Sequence, residues 1–438
     1  MLTASERQLI LNCSRETVSP DLVHQTQEFL QTPLRWSNIL QAASQHGVAS
    51  LLYKNLKKVD GGRAIPDEAS RKLLQLYNRT ALRNHLLFKS LGELLESFAR
   101  SGVKVIVLKG PYLAQLVYAD FASRPFRDLD LLILKEDVQK ARQILLEVGY
   151  TLKPGLLPDG FFQQYHFSLP FLKEDDVANT YIELHWNLTD QFMGYTLDMD
   201  DLWARARPVV LSDQHAFTLS PEDLITHLSL HLDMHGYLNR AIIGQGDEHR
   251  FIFHALSDNR LIWFTDLYEV IGRYRSKVDW AALVERSKQT GTAGSVAASL
   301  TLLNLLFGSV VDRKILKELS LPRTSFVKRS LLRWFLTDFE KSGERDSLFL
   351  SFFQSKLLST RKGVQFRLIR LVDLWEYIFP SYDLVKRRYS LANKRGMLGF
   401  FYVLYVLAAM VYYTKISLHI VYFFLKKKLG KPVPGASS

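Results

Sequence analysis

Two aspartates, Asp128 and Asp130, stand one residue apart inside the apolar run DLDLLIL (128–134). A buried carboxylate without partners is expensive, and a bound cation is a common way to offset that cost. Alternate side chains of a strand point to one face, so both aspartates face one way while Leu129 and Leu131 face the core. Carboxylates about 7 Å apart along a strand can share one or two Mg²⁺ ions. Phosphoryl-transfer chemistry uses that arrangement to hold a triphosphate and activate the attacking oxygen. In YIELHWNL (181–188), Tyr181, Glu183 and His185 share one face and Ile182, Leu184 and Trp186 the other. Glu183 is the natural third carboxylate, as metal ligand or general base, with His185 a weaker candidate beside it.

Upstream, Lys109-Gly110-Pro111 sits where an apolar β run gives way to a helix. A helix N-terminus offers free N–H groups and partial positive charge to a phosphate, and Gly110 lets the backbone approach closely. Lys109, Arg124 and Arg127 supply further positive charge for the same phosphates. Taken alone, a D-x-D on a strand also describes two solvated carboxylates near a strand end. The Lys-Gly turn and Glu183 favour the chemical reading.

The elements that must position these residues can be read from periodicity and punctuation. Residues 1–58 read as helical, with Gly47 closing one helix and a new one starting near Val48. A long helix is predicted from Asp67 to Arg100, with Gly102 just past its end. VKVIVL (103–108) reads as a strand, YLAQLVYAD as the helix after Pro111, and DLDLLIL as the second strand. KEDVQKARQILLEVGY reads as an amphipathic helix, and FFQQYHFSLPFLK and ANTYIELHWNL as two strands joined by a turn at 174–176. From about Gln191 the chain reads as helical again. Ser220-Pro221-Glu222-Asp223 is a strong helix start, and LIWFTDLYEVIGRY, VDWAALVERSKQTGT and SVAASLTLLNLLFG follow as helices.

The chain has 438 residues, 47% hydrophobic and 23% charged, which excludes a disordered chain and allows two or three domains. The net charge of +12 points to an anionic partner: a nucleotide, a nucleic acid or an acidic membrane surface. Cys13 is the only cysteine, so neither an intrachain disulfide nor a cysteine-rich zinc site can form, and a reducing compartment fits. The N-terminus carries charges beside its short apolar run and no cleavable signal pattern, so no export is expected.

The stretches LKGPYLAQLVY, RPFRDLDLLI and IELHWNL together resemble a family of uncharacterised bacterial nucleotidyltransferases, a branch of the polymerase-beta-type nucleotidyltransferase superfamily. WSNILQAASQHGVASLLYKNL resembles the family's N-terminal helical pattern, and LSPEDLITHLSLHL and LIWFTDLYEVI…VDWAALVERSKQTG its C-terminal one. The resemblance covers most of residues 35–310, with a trace at FPSYDLVKRRY (379–389). It implies a small mixed sheet flanked by helices, metal-dependent nucleotidyl transfer from ATP or another nucleoside triphosphate, and Asp128 and Asp130 as metal ligands. Glu183 falls at the position of the third carboxylate. The wider superfamily usually carries Gly-Ser or Gly-Gly at the turn; Lys109-Gly110-Pro111 offers no hydroxyl to a phosphate there.

Three further features stand apart. His227, His231 and His235 are spaced by four and share one helical face, as a metal site or as a groove-lining interior face. Asp266, in the middle of an apolar helix, reads as pairing with a neighbouring helix or contacting substrate. GQGDEHR (244–250) reads as a connection. At the C-terminus, residues 397–414 run uncharged for 18 positions, resuming after Lys415 to Leu425, with basic clusters on both sides. That segment reads as a spanning helix, as an interfacial amphipathic helix, or as a terminal helix buried in a partner. The basic clusters would suit anionic headgroups, while nucleic-acid binding has no supporting motif.

The expectation is therefore an α+β fold: a small mixed-sheet nucleotidyltransferase core, helical regions on either side and a hydrophobic C-terminal helix. The expected divisions are 1–100 helical, 101–190 α/β core, 191–330 helical, 331–396 basic helical, 397–428 membrane-associated and 429–438 a disordered tail. The expected activity is Mg²⁺-dependent transfer of a nucleoside monophosphate to an unidentified hydroxyl acceptor, at the cytoplasmic face of the membrane. Asp128, Asp130 and Glu183 would be catalytic and hold the metal; Lys109, Gly110, Arg124 and Arg127 would hold the nucleotide. The alternative is a non-catalytic, membrane-associated scaffold that keeps the fold.

Overall fold

The computed structural model describes residues 2–60, 65–152, 167–175, 179–189, 195–234 and 261–319, with Val403 as a single further position. All but Val403 belong to one compact unit, Met1–Leu152 with Phe167–Val364; the second unit comprises Lys153–His166 and Gln365–Ser438. The expected C-terminal segment 397–428, His235 and the loop 244–250 lie outside the described residues, Val403 apart. Among the described residues no helix is long and apolar enough to cross a membrane.

Four helices open the chain: α1 (Ala4–Asn12), α2 (Pro20–Leu30), α3 (Trp36–Gln45) and α4 (Ala49–Asp60). Thr3 and Glu6 form a capping box at α1, the side chain of each accepting from the other's backbone N–H. The Glu6 carboxylate also accepts from the Arg35 guanidinium, at 2.9 Å from Nε and 2.7 Å from Nη2, so one buried acid joins the starts of α1 and α3. Helix α5 runs Asp67–Arg100, as its sequence predicts. Acids occupy its first turn and Arg100 its last, matching the helix dipole. It ends where Gly102 N–H donates to Ala99 and Val103 N–H to Phe98, a turn that delivers the chain directly into the sheet.

The sheet has seven strands in the order β3-β4-β5-β2-β1-β7-β6. They are β1 (Ile106–Val107), β2 (Asp128–Leu132), β3 (Thr151–Leu152), β4 (Ser168–Lys173), β5 (Thr180–His185), β6 (Arg207–Leu211) and β7 (Gln214–Thr218). The sheet is mixed: β2–β5 and β1–β7 are parallel, the remaining neighbours antiparallel. Leu129, Leu131, Ile182 and Leu184 are buried on the face away from the carboxylates. Between β1 and β2 lies α6 (Pro111–Leu116), and after β2 a 3₁₀ turn, Lys135–Asp137, leads into α7 (Val138–Glu147).

Three readings change. The expected strand 103–108 contributes only Ile106–Val107 to the ladder, and the expected nine-residue helix after Pro111 stops at Leu116. The segment after Gln191, expected to be helical, holds a short helix α8 (Met199–Ala204) and then the β6–β7 hairpin. That hairpin turns at Ser212 and Asp213, both with positive φ (50° and 60°), and carries the sheet beyond residue 190 by pairing β7 with β1. The helices α9 (Pro221–Met234), α10 (Leu261–Arg273), α11 (Trp280–Thr290) and α12 (Ala293–Phe307) follow the sequence pattern, and a short α13 (Arg313–Leu319) comes after them.

Candidate active site

Strands β2 and β5 run parallel with Asp128 opposite Tyr181 and Asp130 opposite Glu183. Alternation then sets Asp128, Asp130, Glu183 and His185 on one face. Asp130 is buried, 1% exposed, while the Glu183 side chain is 45% exposed at the cavity mouth. His185 Nε2 lies 3.2 Å from Asp130 Oδ1 and 3.4 Å from Glu183 Oε2, bridging the two acids. Asp130, Glu183 and His185 each offer an atom within 4.8 Å of the others, a separation that one cation can span. Asp128 shares their face and lines the same cavity without entering that tight set.

Lys109 reaches back from the end of β1, its Nζ 3.3 Å from Asp130 Oδ1. Burial opposes the charge on Asp130, but Lys109 and the hydrogen bond from His185 outweigh it and hold that carboxyl well below the usual carboxylate range. Burial, with the neighbouring Asp130 charge, pushes Asp128 the other way. Burial also works against a charged His185, yet its hydrogen bonds to Asp130 and Glu183 raise it above the ordinary imidazole value. The site thus splits its acids: one firmly ionised, one reluctant.

Gly110 has φ +43°, in the region that favours glycine, and it turns the chain from β1 into α6. Because α6 has only six residues, its dipole contributes little, and the cationic side chains must carry most of the charge a phosphate would meet. Arg127 lines the cavity. Arg124 lines it too, but its guanidinium is committed: Nε and Nη2 lie 3.1 and 2.7 Å from the two carboxylate oxygens of Asp266 on α10. Tyr118 O–H donates to the same carboxylate at 2.9 Å. Asp266 therefore pins α10 to the turn that precedes β2.

The cavity these elements enclose measures about 390 Å³. Besides the residues above it is lined by Pro125, Phe126, Phe167 and Leu188, by His227, His231 and Met234 of α9, and by Ile262 and Trp263 of α10. The sequence placed the histidines only as a groove-lining or metal-binding face. His227 is 3% exposed, and burial, reinforced by Lys109, pushes its imidazole down to about 3, so it is neutral. Neither of its ring nitrogens has a hydrogen-bond partner among the described residues.

Two donor atoms of the acidic cluster, Asp130 Oδ2 and His185 Nδ1, are buried without a partner among the described residues. Two carboxylates and an imidazole with atoms within 4.8 Å of one another fit a divalent cation.

The profile of a family described as uncharacterised nucleotidyltransferases matches residues 32–308. No curated protein matches the chain. A similar solved structure, of an antigenic nucleotidyltransferase-like protein from Paracoccidioides brasiliensis, shares 11% identity, with 48% of this chain and 92% of that one covered and a TM-score of 0.26.

Proposed function

The chain belongs to this family of uncharacterised nucleotidyltransferases, and on that premise we propose that it transfers a nucleoside monophosphate from a nucleoside triphosphate to a hydroxyl acceptor, releasing pyrophosphate. The observation that carries the reading is the register that sets Asp130 against Glu183, with Lys109 on Asp130 and buried donor atoms left bare. Asp128, Asp130 and Glu183, with His185, would hold Mg²⁺ or Mn²⁺. When bound, that cation supplies charge neutralisation of the phosphates and a lower pKa for the attacking hydroxyl.

In the proposed transfer the acceptor oxygen forms a bond to the α-phosphorus as the bond from that phosphorus to the pyrophosphate oxygen breaks. Lys109 and Arg127 would meet the negative charge that the leaving pyrophosphate gains. Glu183, half-exposed, would take the acceptor's proton and return it to solvent. Arg124 would act through Asp266, by fixing the cavity wall, more than through a phosphate. The uncharged stretch 397–414 and its basic flanks support a further part of the proposal, that the C-terminus holds the protein at the inner face of the membrane.

The test is Mg²⁺- or Mn²⁺-dependent binding of labelled ATP, GTP, CTP and UTP to the wild type and to the Asp128→Asn/Asp130→Asn variant. Loss of binding in the variant is expected. Equal binding by both would overturn the enzymatic reading in favour of a scaffold that keeps the fold. Labelled nucleotide added with a cell extract would then identify the acceptor class by where the label goes. Deleting 397–438 is expected to release the protein from membranes without detergent; unchanged partition would count against the anchor.

A further inference from the structure

The cavity has two unlike walls. One, built from the Lys109-Gly110 turn, residues 124–130 and β5, holds its lysine, arginines and acids. The other, built from α9 and α10, presents His227, His231, Met234, Ile262 and Trp263, and no charged lysine or arginine. His227, His231 and Met234 follow one stripe of α9 at spacings of four and three. Trp263 meets His231 edge to face, with ring centroids 4.7 Å apart. His227 is buried with both ring nitrogens unpartnered among the described residues, an arrangement that is costly unless a ligand completes it. Trp263 and Asp266 lie three residues apart on α10, so the bridge from Asp266 to Arg124 also fixes where the indole stands.

We propose that this second wall is the nucleobase subsite of the same cavity, with Trp263 supplying the flat apolar contact and His227 a hydrogen bond to the polar edge of the base. The inference rests on the nucleotidyl-transfer reading and deepens it. A base needs a dry planar surface and a few uncharged donors and acceptors at its edge. A neutral imidazole supplies one donor and one acceptor. A triphosphate would be met by the opposite, charged wall. A polyhydroxylated acceptor would need many polar partners, and among the described residues this wall offers His227 as its buried unpaired polar group.

The experiment titrates the full chain, in Mg²⁺, with ATP, GTP, CTP, UTP and inorganic tripolyphosphate, which shares the phosphates and lacks the base. Wild type is compared with His227→Leu, His227→Gln, Trp263→Leu and Trp263→Phe, each checked for folding by circular dichroism. Expected in His227→Leu and Trp263→Leu is a loss of about tenfold in affinity for the preferred nucleotide with tripolyphosphate unchanged. The differences among the four nucleotides should also narrow. His227→Gln and Trp263→Phe, which keep a hydrogen-bonding group and an aromatic face, should recover most of the loss. Nucleotide and tripolyphosphate affinities that fall together, or that do not change, overturn the subsite while leaving nucleotidyl transfer standing. A wild type that binds neither ligand overturns the nucleotidyl reading, and the subsite with it.

Discussion

Arg124 grips Asp266 with two nitrogens, at 3.1 and 2.7 Å, and both side chains are almost wholly buried, 6% and 1% exposed. Removing one partner leaves the other charge stranded. Asp266→Ala is therefore expected to destabilise the protein by about 3–5 kcal/mol. The paired variant Arg124→Met/Asp266→Leu should recover much of that loss, because an apolar pair strands no charge. Urea unfolding of the three proteins measures this; an Asp266→Ala variant as stable as wild type would refute the arrangement.

Lys109, its side chain 16% exposed, is the lysine that touches the acidic cluster among the described residues, and it compensates Asp130 directly. Lys109→Met keeps most of the volume and removes the charge. Two effects of opposite sign are expected: tighter binding of Mn²⁺ alone, because Asp130 loses its competing cation, and nucleotide binding weaker by about tenfold or more. Calorimetric titration separates the two. Unchanged nucleotide affinity would remove Lys109 from the phosphate site.

Glu6 makes stability depend on acid. Its hydrogen bond from the Arg35 guanidinium, against the opposing effect of burial, lowers its carboxyl from an ordinary 4.5 to about 2. The folded state thus holds the ionised form more firmly than the unfolded chain does. Its contribution is complete above pH 4.5 and disappears as pH falls toward 2. Glu6→Gln should lower the melting temperature at pH 7, and the gap from wild type should close below pH 3; a gap independent of pH would contradict this. The neutral-pH cost should be about 1–3 kcal/mol, since Arg35 is half-exposed and is not stranded.

Gly47 joins the N-terminal helices to the cavity wall. Its φ is +71°, and a Cβ there would stand 3.0 Å from Ile262 Cγ2. The adjoining His46 accepts the Ile262 N–H through its carbonyl and the Leu261 N–H through Nδ1, capping α10. Gly47→Ala should cost about 1–3 kcal/mol from backbone strain and crowding together. It should also weaken nucleotide binding, because Ile262 lines the cavity. Thermal melts and nucleotide titration read both; an unaltered melt would show that α10 yields at this point.

Local signals were legible in the sequence. The first-turn acids and the glycine beyond the last turn mark the ends of α5, and the two-residue alternation in DLDLL and YIELH places the carboxylates on their shared face. Asp266 could be read as needing a partner, but the sequence does not show that the partner is Arg124, 142 positions away. That same distance hid the ion pair that Arg124, read as a phosphate ligand, makes with Asp266. The β6–β7 hairpin is marked in the sequence by two short β-prone runs, PVVL and HAFT, on either side of Ser212-Asp213, two turn-forming residue types of which Asp tolerates positive φ. His185 joined the tight cluster ahead of Asp128 because the β2–β5 register, set by packing on the opposite face, decides which side chains meet across the ladder.

Strand β1 sits mid-sheet and is two residues long, held on one side by β2 and on the other by β7 through Ile106 and Phe217. During synthesis, β2 is available soon after β1 leaves the ribosome, but β7 arrives only after most of the site-bearing strands have been made. Until then one edge of β1 is open, and a nascent chain halted near residue 190 offers that edge to any passing strand. Closing the sheet at its centre is thus a late, long-range event, the kind that slows folding. The segment 207–218, which bears none of the proposed chemistry, closes the open edge of the strand that carries the chain into the Lys109-Gly110 turn.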